Sequence, residues 1–199
     1  MEGAGDGKGG VSGARADDFS LVVPSRERLA HYVAALETGW SPNNLRDVSG
    51  EQLAAIRANA DAFIANLTRP EGGTITMNDG RVVPRLPGPL LWMWDGTFCG
   101  TISLRFVRGT EELPKHVSGH VGYAVVPWKR RRGYATRALG LLLPIACGCG
   151  LARVLITCDD DNVASQKVIL ANGGVAAGSE REDDTGRTKL LFWVRTKQA

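Results

Sequence analysis

Four consecutive cations, Lys129, Arg130, Arg131 and Arg132, are followed at once by Gly133 and then by a segment whose apolar spacing is helical from Tyr134 onward. Ahead of them, Tyr123-Ala-Val-Val-Pro127 reads as the end of an apolar strand. A helix starting in such a turn aims its free backbone N–H groups, and the positive end of its dipole, at whatever sits in the turn. The chemistry implied is anion binding. With Arg130, Arg131 and Arg132 around it, the natural occupant is a phosphate or pyrophosphate, and Gly133 lets it approach without a Cβ in the way. A solvated basic loop or a nucleic-acid patch would use the same residue types. Two numbers weigh against nucleic acid. The net charge is only +3, and the pI of 8.8 falls short of the value of about 9 or more usual for such modules.

A second chemically suggestive segment is Asp159-Asp-Asp-Asn-Val-Ala-Ser-Gln-Lys-Val-Ile-Leu-Ala-Asn-Gly-Gly174. It reads as an acidic loop, a short helix and a glycine stop. By itself Asn162 there is a good helix N-cap. Taken with the first segment it resembles the GCN5-related N-acetyltransferase (GNAT) family. The family's coenzyme A loop has Arg or Gln, two residues, Gly, one residue, then Gly or Ala, and Arg130, Gly133 and Ala135 fill that pattern. Asn162 and Gly173 fall at the family's asparagine and terminal glycine. The likeness covers roughly 118–174.

The resemblance implies an acetyl-CoA-dependent transfer of an acetyl group to a primary amine of a small molecule, with acetyl-CoA as co-substrate and no metal. It implies that the backbone of Val125 and Val126 bonds the pantetheine arm, at a bulge that splays the strand from a parallel neighbour. The pyrophosphate would lie over the amides of Arg131, Arg132, Gly133, Tyr134, Ala135 and Thr136, and Asn162 would meet the arm from the facing loop, with Ser165 as a further cofactor-binding residue. His120 stands about where relatives carry a glutamate base, and a histidine near its ordinary pKa of about 6.5 could take a proton at neutral pH. Tyr123 is a second catalytic candidate, with a core aromatic as the plain alternative. His31 and His116 lack that positional argument. Where many relatives place a proton-donating tyrosine, this chain has Ile169, so Tyr134 or water would have to substitute. Asn162 with Ser165 matches an Asn-x-x-Ser pattern found in branches that acetylate protein N-termini, the alternative acceptor class. A non-catalytic acyl-CoA-binding module is a further reading. Family members often form dimers, which makes a homodimer compatible with the likeness.

The elements that must position these residues follow from patterning. A strand is expected at 19–23, then a helix over 25–37 ended by Gly39. Ser49 and Gln52 have capping-box spacing, opening a second helix to about Thr68. The polar stretch 40–44, with Trp40, would border the acceptor pocket in such enzymes. Strands are expected at 74–77, 81–86, 90–94 and 97–108, with turns at Asn78-Asp79-Gly80 and Asp95-Gly96. A strand at 119–126, a helix at 134–149 and a strand at 153–158 form a βαβ unit, which predicts a parallel pair. Pro144 predicts a kink or early end in that helix. A helix at 164–172 stops at Gly173-Gly174, and strands at 175–178 and 189–195 close the sheet around a turn at Thr185-Gly186. The fold class expected is α/β (α+β): one mixed, mostly antiparallel sheet, a central parallel pair splayed around the cofactor, and flanking helices.

The whole chain is consistent with that scheme. Its 199 residues, 43% hydrophobic and 23% charged, suit one ordinary domain, expected over 18–197. Residues 1–17, rich in glycine, are expected to form a disordered tail. Cys99, Cys147, Cys149 and Cys158 fit neither a disulfide framework nor paired zinc spacing, and are expected as reduced thiols in a cytoplasmic protein. The longest apolar run, 138–146, contains a glycine and a proline and is far shorter than the ~20 residues of a membrane span.

Overall fold

The computed structural model describes residues 19–44, 46–76, 80–182 and 186–198. The expected tail over 1–17 lies outside them, as do Asn78, Asp79 and Thr185 of two expected turns. In chain order the elements are β1 (Ser20–Val22), α1 (Leu29–Glu37), α2 (Ser49–Ala58), α3 (Ala60–Thr68), β2 (Thr74–Thr76), β3 (Val82–Pro84), β4 (Leu90–Trp94), β5 (Phe98–Leu104), β6 (Val121–Val125), a 3₁₀ turn (Pro127–Lys129), α4 (Tyr134–Gly148), β7 (Arg153–Asp159), α5 (Val163–Ala171), β8 (Val175–Arg181) and β9 (Thr188–Arg195).

Alternation along the strands divides the core in two. On β4, Leu91 and Met93 face the aliphatic side while Trp92 faces the other. The aliphatic core gathers Leu139, Leu142, Leu143 and Ala146 of α4 against Ile102, Val121, Val154, Ile156, Ile169 and Val194. Each Leu, Ile or Val side chain so removed from water contributes about 1.5–3 kcal/mol. On the opposite face α1 packs Tyr32 flat on Trp92, ring centroids 5.0 Å apart, with Phe98 and Trp40 edge-on around them. Trp40, expected to border an acceptor pocket, is instead buried within this aromatic core.

Three sheets form, in the orders β1-β4-β5-β6, β7-β9-β8 and β2-β3, and every ladder is antiparallel among the described residues. The expected parallel ladder between β6 and β7 is not present. The two larger sheets touch where His120 N–H donates to the Leu155 carbonyl at 2.7 Å. Leu155 N–H does not extend a ladder, because it donates to His120 Nδ1 at 2.9 Å. Gly119 permits the contact, since a Cβ there would lie 3.1 Å from the Leu155 carbonyl oxygen. The bulge expected near Val125 and Val126 is also missing, for β6 keeps unbroken register with β5 from Val121 to Val125.

The helices depart from expectation in three places. The stretch 49–68 is two helices, because Asn59 turns extended (φ −162°, ψ 98°) and caps α3 by accepting Ala62 N–H. The capping box does not form, as Asp47 Oδ1 already takes the Ser49 amide at 2.8 Å. Residues 26–28 form turns, so α1 starts at Leu29. Pro144 does not end α4, which runs on to Gly148. The carbonyl it leaves without a donor is that of Gly140, on the exposed face where water can meet it. The stop of α5 is as expected: Gly173 is left-handed (φ 81°), and Gly174 N–H returns to the Ile169 carbonyl.

Candidate functional site

The site is built from β6, the arginine turn beyond it and the first residues of α4. Arg105 N–H donates to the His120 carbonyl and Val126 N–H to the Cys99 carbonyl, so in register with these bonds Gly122, Ala124 and Val126 turn their backbone toward β5. Tyr123 and Val125 then present theirs to the open side. Both of their carbonyls are met there, Tyr123 O by Asn44 Nδ2 at 3.3 Å and Val125 O by Arg130 Nε at 3.2 Å. Val126 is different from the expectation. Its N–H is spent on Cys99, its carbonyl accepts Lys129 N–H, and it is fully buried.

After the 3₁₀ turn the chain makes two left-handed steps, at Arg131 (φ 61°) and Gly133 (φ 77°). The second is natural for glycine, the first uncommon for any other residue. Gly133 is the N-cap of α4 without a capping side chain, and Arg137 N–H makes the first turn's bond to the Gly133 carbonyl. The N–H groups of Tyr134, Ala135 and Thr136 precede that bond and have no carbonyl within the helix to meet. With no acidic residue in the first turn of this 15-residue helix, and Arg131 and Arg132 exposed beside it, the corner is suited to a bound anion. Lys129 does not add its charge. Its Nζ is held by both oxygens of Asp95 at 2.6 Å.

Asn162 caps α5, its Oδ1 accepting Ser165 N–H at 3.0 Å. That fixes Ser165, whose hydroxyl lies 2.7 Å from the Tyr123 hydroxyl. The pair bridges the open side of β6 to the start of α5. Burial pushes the Tyr123 phenol up to about 12, so it stays protonated and can hold or pass a proton. Cys158 lies beside the pair, its thiol pushed up by burial although it bonds Ser165.

His120 and Tyr123 face opposite ways, and only Tyr123 reaches the open side. His120 is fully buried. Nδ1 is occupied by Leu155 N–H, and Nε2 has no hydrogen-bond partner among the described residues. Burial holds its pKa below the ordinary histidine value, so the ring is neutral and joins the sheets. It is badly placed to take a proton from a substrate. Tyr134 is committed as well. Its hydroxyl donates to Asp95 Oδ2 at 2.5 Å, and burial with that bond pushes it up to about 12. Ile169 is wholly buried in the aliphatic core. Sequence patterning found the arginine turn and Asn162, gave Asn44 only as part of the 40–44 stretch, named Tyr123 and Ser165 without pairing them, and missed the role of Asp95. Asp95 registered only as half of a hairpin turn signal. Among the described residues no three His, Cys, Asp or Glu side chains gather to hold a metal, and no helix is long and apolar enough to cross a membrane.

Residues 44–175 match the model of a family described as the acetyltransferase (GNAT) domain. A comparison with the curated proteins finds no match. Among solved structures, the chain is similar to the microcin C7 self-immunity acetyltransferase MccE in complex with acetyl-CoA and AMP, at 14% identity over 90% of this chain and 93% of that one, TM-score 0.60. It is similar to the acetyltransferase from Salmonella typhimurium that modifies the N-terminal serine of the 50S ribosomal protein L7/L12, at 12% identity, covering 92% and 97%, TM-score 0.59. It is also similar to RimL, the ribosomal L7/L12 alpha-N-protein acetyltransferase in complex with coenzyme A, at 12% identity, covering 91% and 96%, TM-score 0.57. At such identities the likeness speaks to the fold.

Proposed function

The chain belongs to the GNAT acetyltransferase family, whose model spans 44–175, and from that premise we propose that it transfers an acetyl group from acetyl-CoA to the primary amine of a small molecule. The observation that carries the donor assignment is the corner at the start of α4. There the unmet N–H groups of Tyr134, Ala135 and Thr136 follow two left-handed residues, with Arg131 and Arg132 alongside. These groups would hold the diphosphate. The outward backbone of Tyr123 and Val125 would hold the pantetheine arm, with Asn44 and Arg130 beside their carbonyls.

Acetyl-CoA supplies an activated acyl carbon; the C–S bond breaks as the C–N bond forms. The protein's part at the reacting end is the hydroxyl pair. Ser165 Oγ would give a proton to the departing sulfur and be resupplied by Tyr123 across 2.7 Å, while the amine loses its proton to water and water returns one to Tyr123, so both hydroxyls end protonated. A thiol of pKa about 8.5 needs only modest help to leave, which fits a serine in the role. This arrangement does without the tyrosine that Ile169 replaces, and without His120.

A second acceptor class, the N-terminal amine of a protein, is favoured by one observation: Asn162 and Ser165 form a capped, hydroxyl-bearing helix start, the Asn-x-x-Ser pattern noted in the sequence. A thiol-release screen with acetyl-CoA as donor tests both, using a library of small amines beside free peptide N-termini. Turnover of a small amine is expected. Turnover of peptides only would replace the first acceptor with the second, and thiol release with neither would overturn the transferase reading.

A further inference from the structure

We propose that Asp95, in the hairpin between β4 and β5, is a positioning residue that holds the arginine turn in its anion-binding shape and so governs affinity for the nucleotide end of acetyl-CoA. The inference rests on the functional reading above.

One carboxylate gathers residues from both sides of the arginine turn. Asp95 accepts Lys129 Nζ on both oxygens at 2.6 Å and the Tyr134 hydroxyl at 2.5 Å. Thr97 completes the set, donating its backbone N–H and its hydroxyl to Oδ1 at 3.2 and 3.0 Å. Lys129 is the residue immediately before Arg130, and Tyr134 the one immediately after Gly133. One side chain on a neighbouring hairpin therefore ties both ends of the four-residue turn. The bonds are charge-assisted and sheltered, with Lys129 and Asp95 side chains only 14% and 12% exposed.

The turn needs such a tie. Arg131 sits at φ 61°, a conformation that costs a residue with a Cβ and persists when its surroundings over-determine it. Released at both ends, residues 130–133 would relax toward ordinary backbone angles. The N–H groups of the turn and of the first helical residues would then no longer converge. The tie also settles the local charge. A lone carboxylate beside an anion site would repel a phosphate; paired with Lys129 it is neutralised, and Arg131 and Arg132 dominate the corner.

The test compares two donors on the full chain. Asp95→Asn keeps the shape of the side chain and removes its charge. Against acetyl-CoA this variant is expected to raise KM by about ten- to a hundredfold, as a displaced binding group does. Against S-acetylpantetheine, which lacks the diphosphate and the nucleotide, its turnover should stay within about threefold of wild type, and so should KM for the amine. Tyr134→Phe, which cuts one bond of the tie, should shift KM for acetyl-CoA in the same direction by less, and guards against a folding defect in the first variant. An unchanged KM for acetyl-CoA in both variants, or equal losses with both donors, would overturn the inference. Wild-type protein that binds no acetyl-CoA would overturn the functional reading itself, a separate and recognisable result.

Discussion

The two ends of β6 treat their polar groups in opposite ways. At its start the chain is closed: His120 gives its N–H to Leu155 and takes the Leu155 N–H on its ring, and Gly119 brings the two sheets into contact. At its far end, Tyr123 and Val125 turn their backbone to an open side, where long polar side chains meet the carbonyls and a helix begins without a cap. The difference separates a residue type that can do chemistry from a residue placed to do it. A histidine sealed from solvent, with Nδ1 bonded across to the next sheet, is part of the frame. A serine and a tyrosine, less reactive by nature, meet where the start of α5 comes against β6.

The open end should be the more sensitive to charge. Gly133→Asp puts an anion where an anion should bind and forces φ 77° on a residue with a Cβ, so acetyl-CoA affinity by calorimetry should fall by about a hundredfold or more. Undiminished affinity would remove the basis for calling that end the donor site. Next in size is the hydroxyl pair. Ser165→Ala should lower kcat by about ten- to a hundredfold, and a thioester with a more acidic thiol should recover most of the loss. A kcat unmoved by the change would mean that the thiolate leaves without Ser165.

The closed end should respond in stability and not in chemistry. His120→Ala leaves the Leu155 N–H without its acceptor and should cost about 1–3 kcal/mol in urea unfolding, with the pH dependence of kcat unaltered. Loss of an ionisation from that profile would make His120 a base after all. The smallest effect is on pH dependence. The histidine's folded pKa is depressed by burial, so below its unfolded value of about 6.5 the unfolded chain binds a proton that the folded chain refuses. The stability due to the neutral ring is present above that pH and lost as pH falls toward the folded pKa, by at most about 1.4 kcal/mol per unit. His120→Asn should lack that slope below about pH 6.5, measured by unfolding at each pH.

Local signals carried much of this in the sequence. The span 90–94 appeared as a strand with its observed bounds, the helix after Gly133 followed from apolar spacing, and the Gly173 stop from glycine's backbone freedom. The arginine turn was legible because it is contiguous. What stayed hidden depends on distant partners. Tyr123 meets Ser165 across 42 positions, and Asp95 meets Lys129 across 34; neither distance has a spacing rule. Asn59 was hidden for another reason, since its capping side chain interrupts an apolar stripe that continues on both sides of it. His120 misled because the register that buries it is set by β7, not by its own strand.

The claim on which the rest depends is that main-chain donors at the start of α4 hold a diphosphate. It is tested most directly by following backbone amide resonances while coenzyme A, or pantetheine as control, is added. The prediction is that coenzyme A moves the amides of Arg131, Gly133, Tyr134, Ala135 and Thr136, while pantetheine moves those of Tyr123 and Val125 and leaves the helix start in place. Saturable binding of coenzyme A with those helix-start amides unmoved would contradict it.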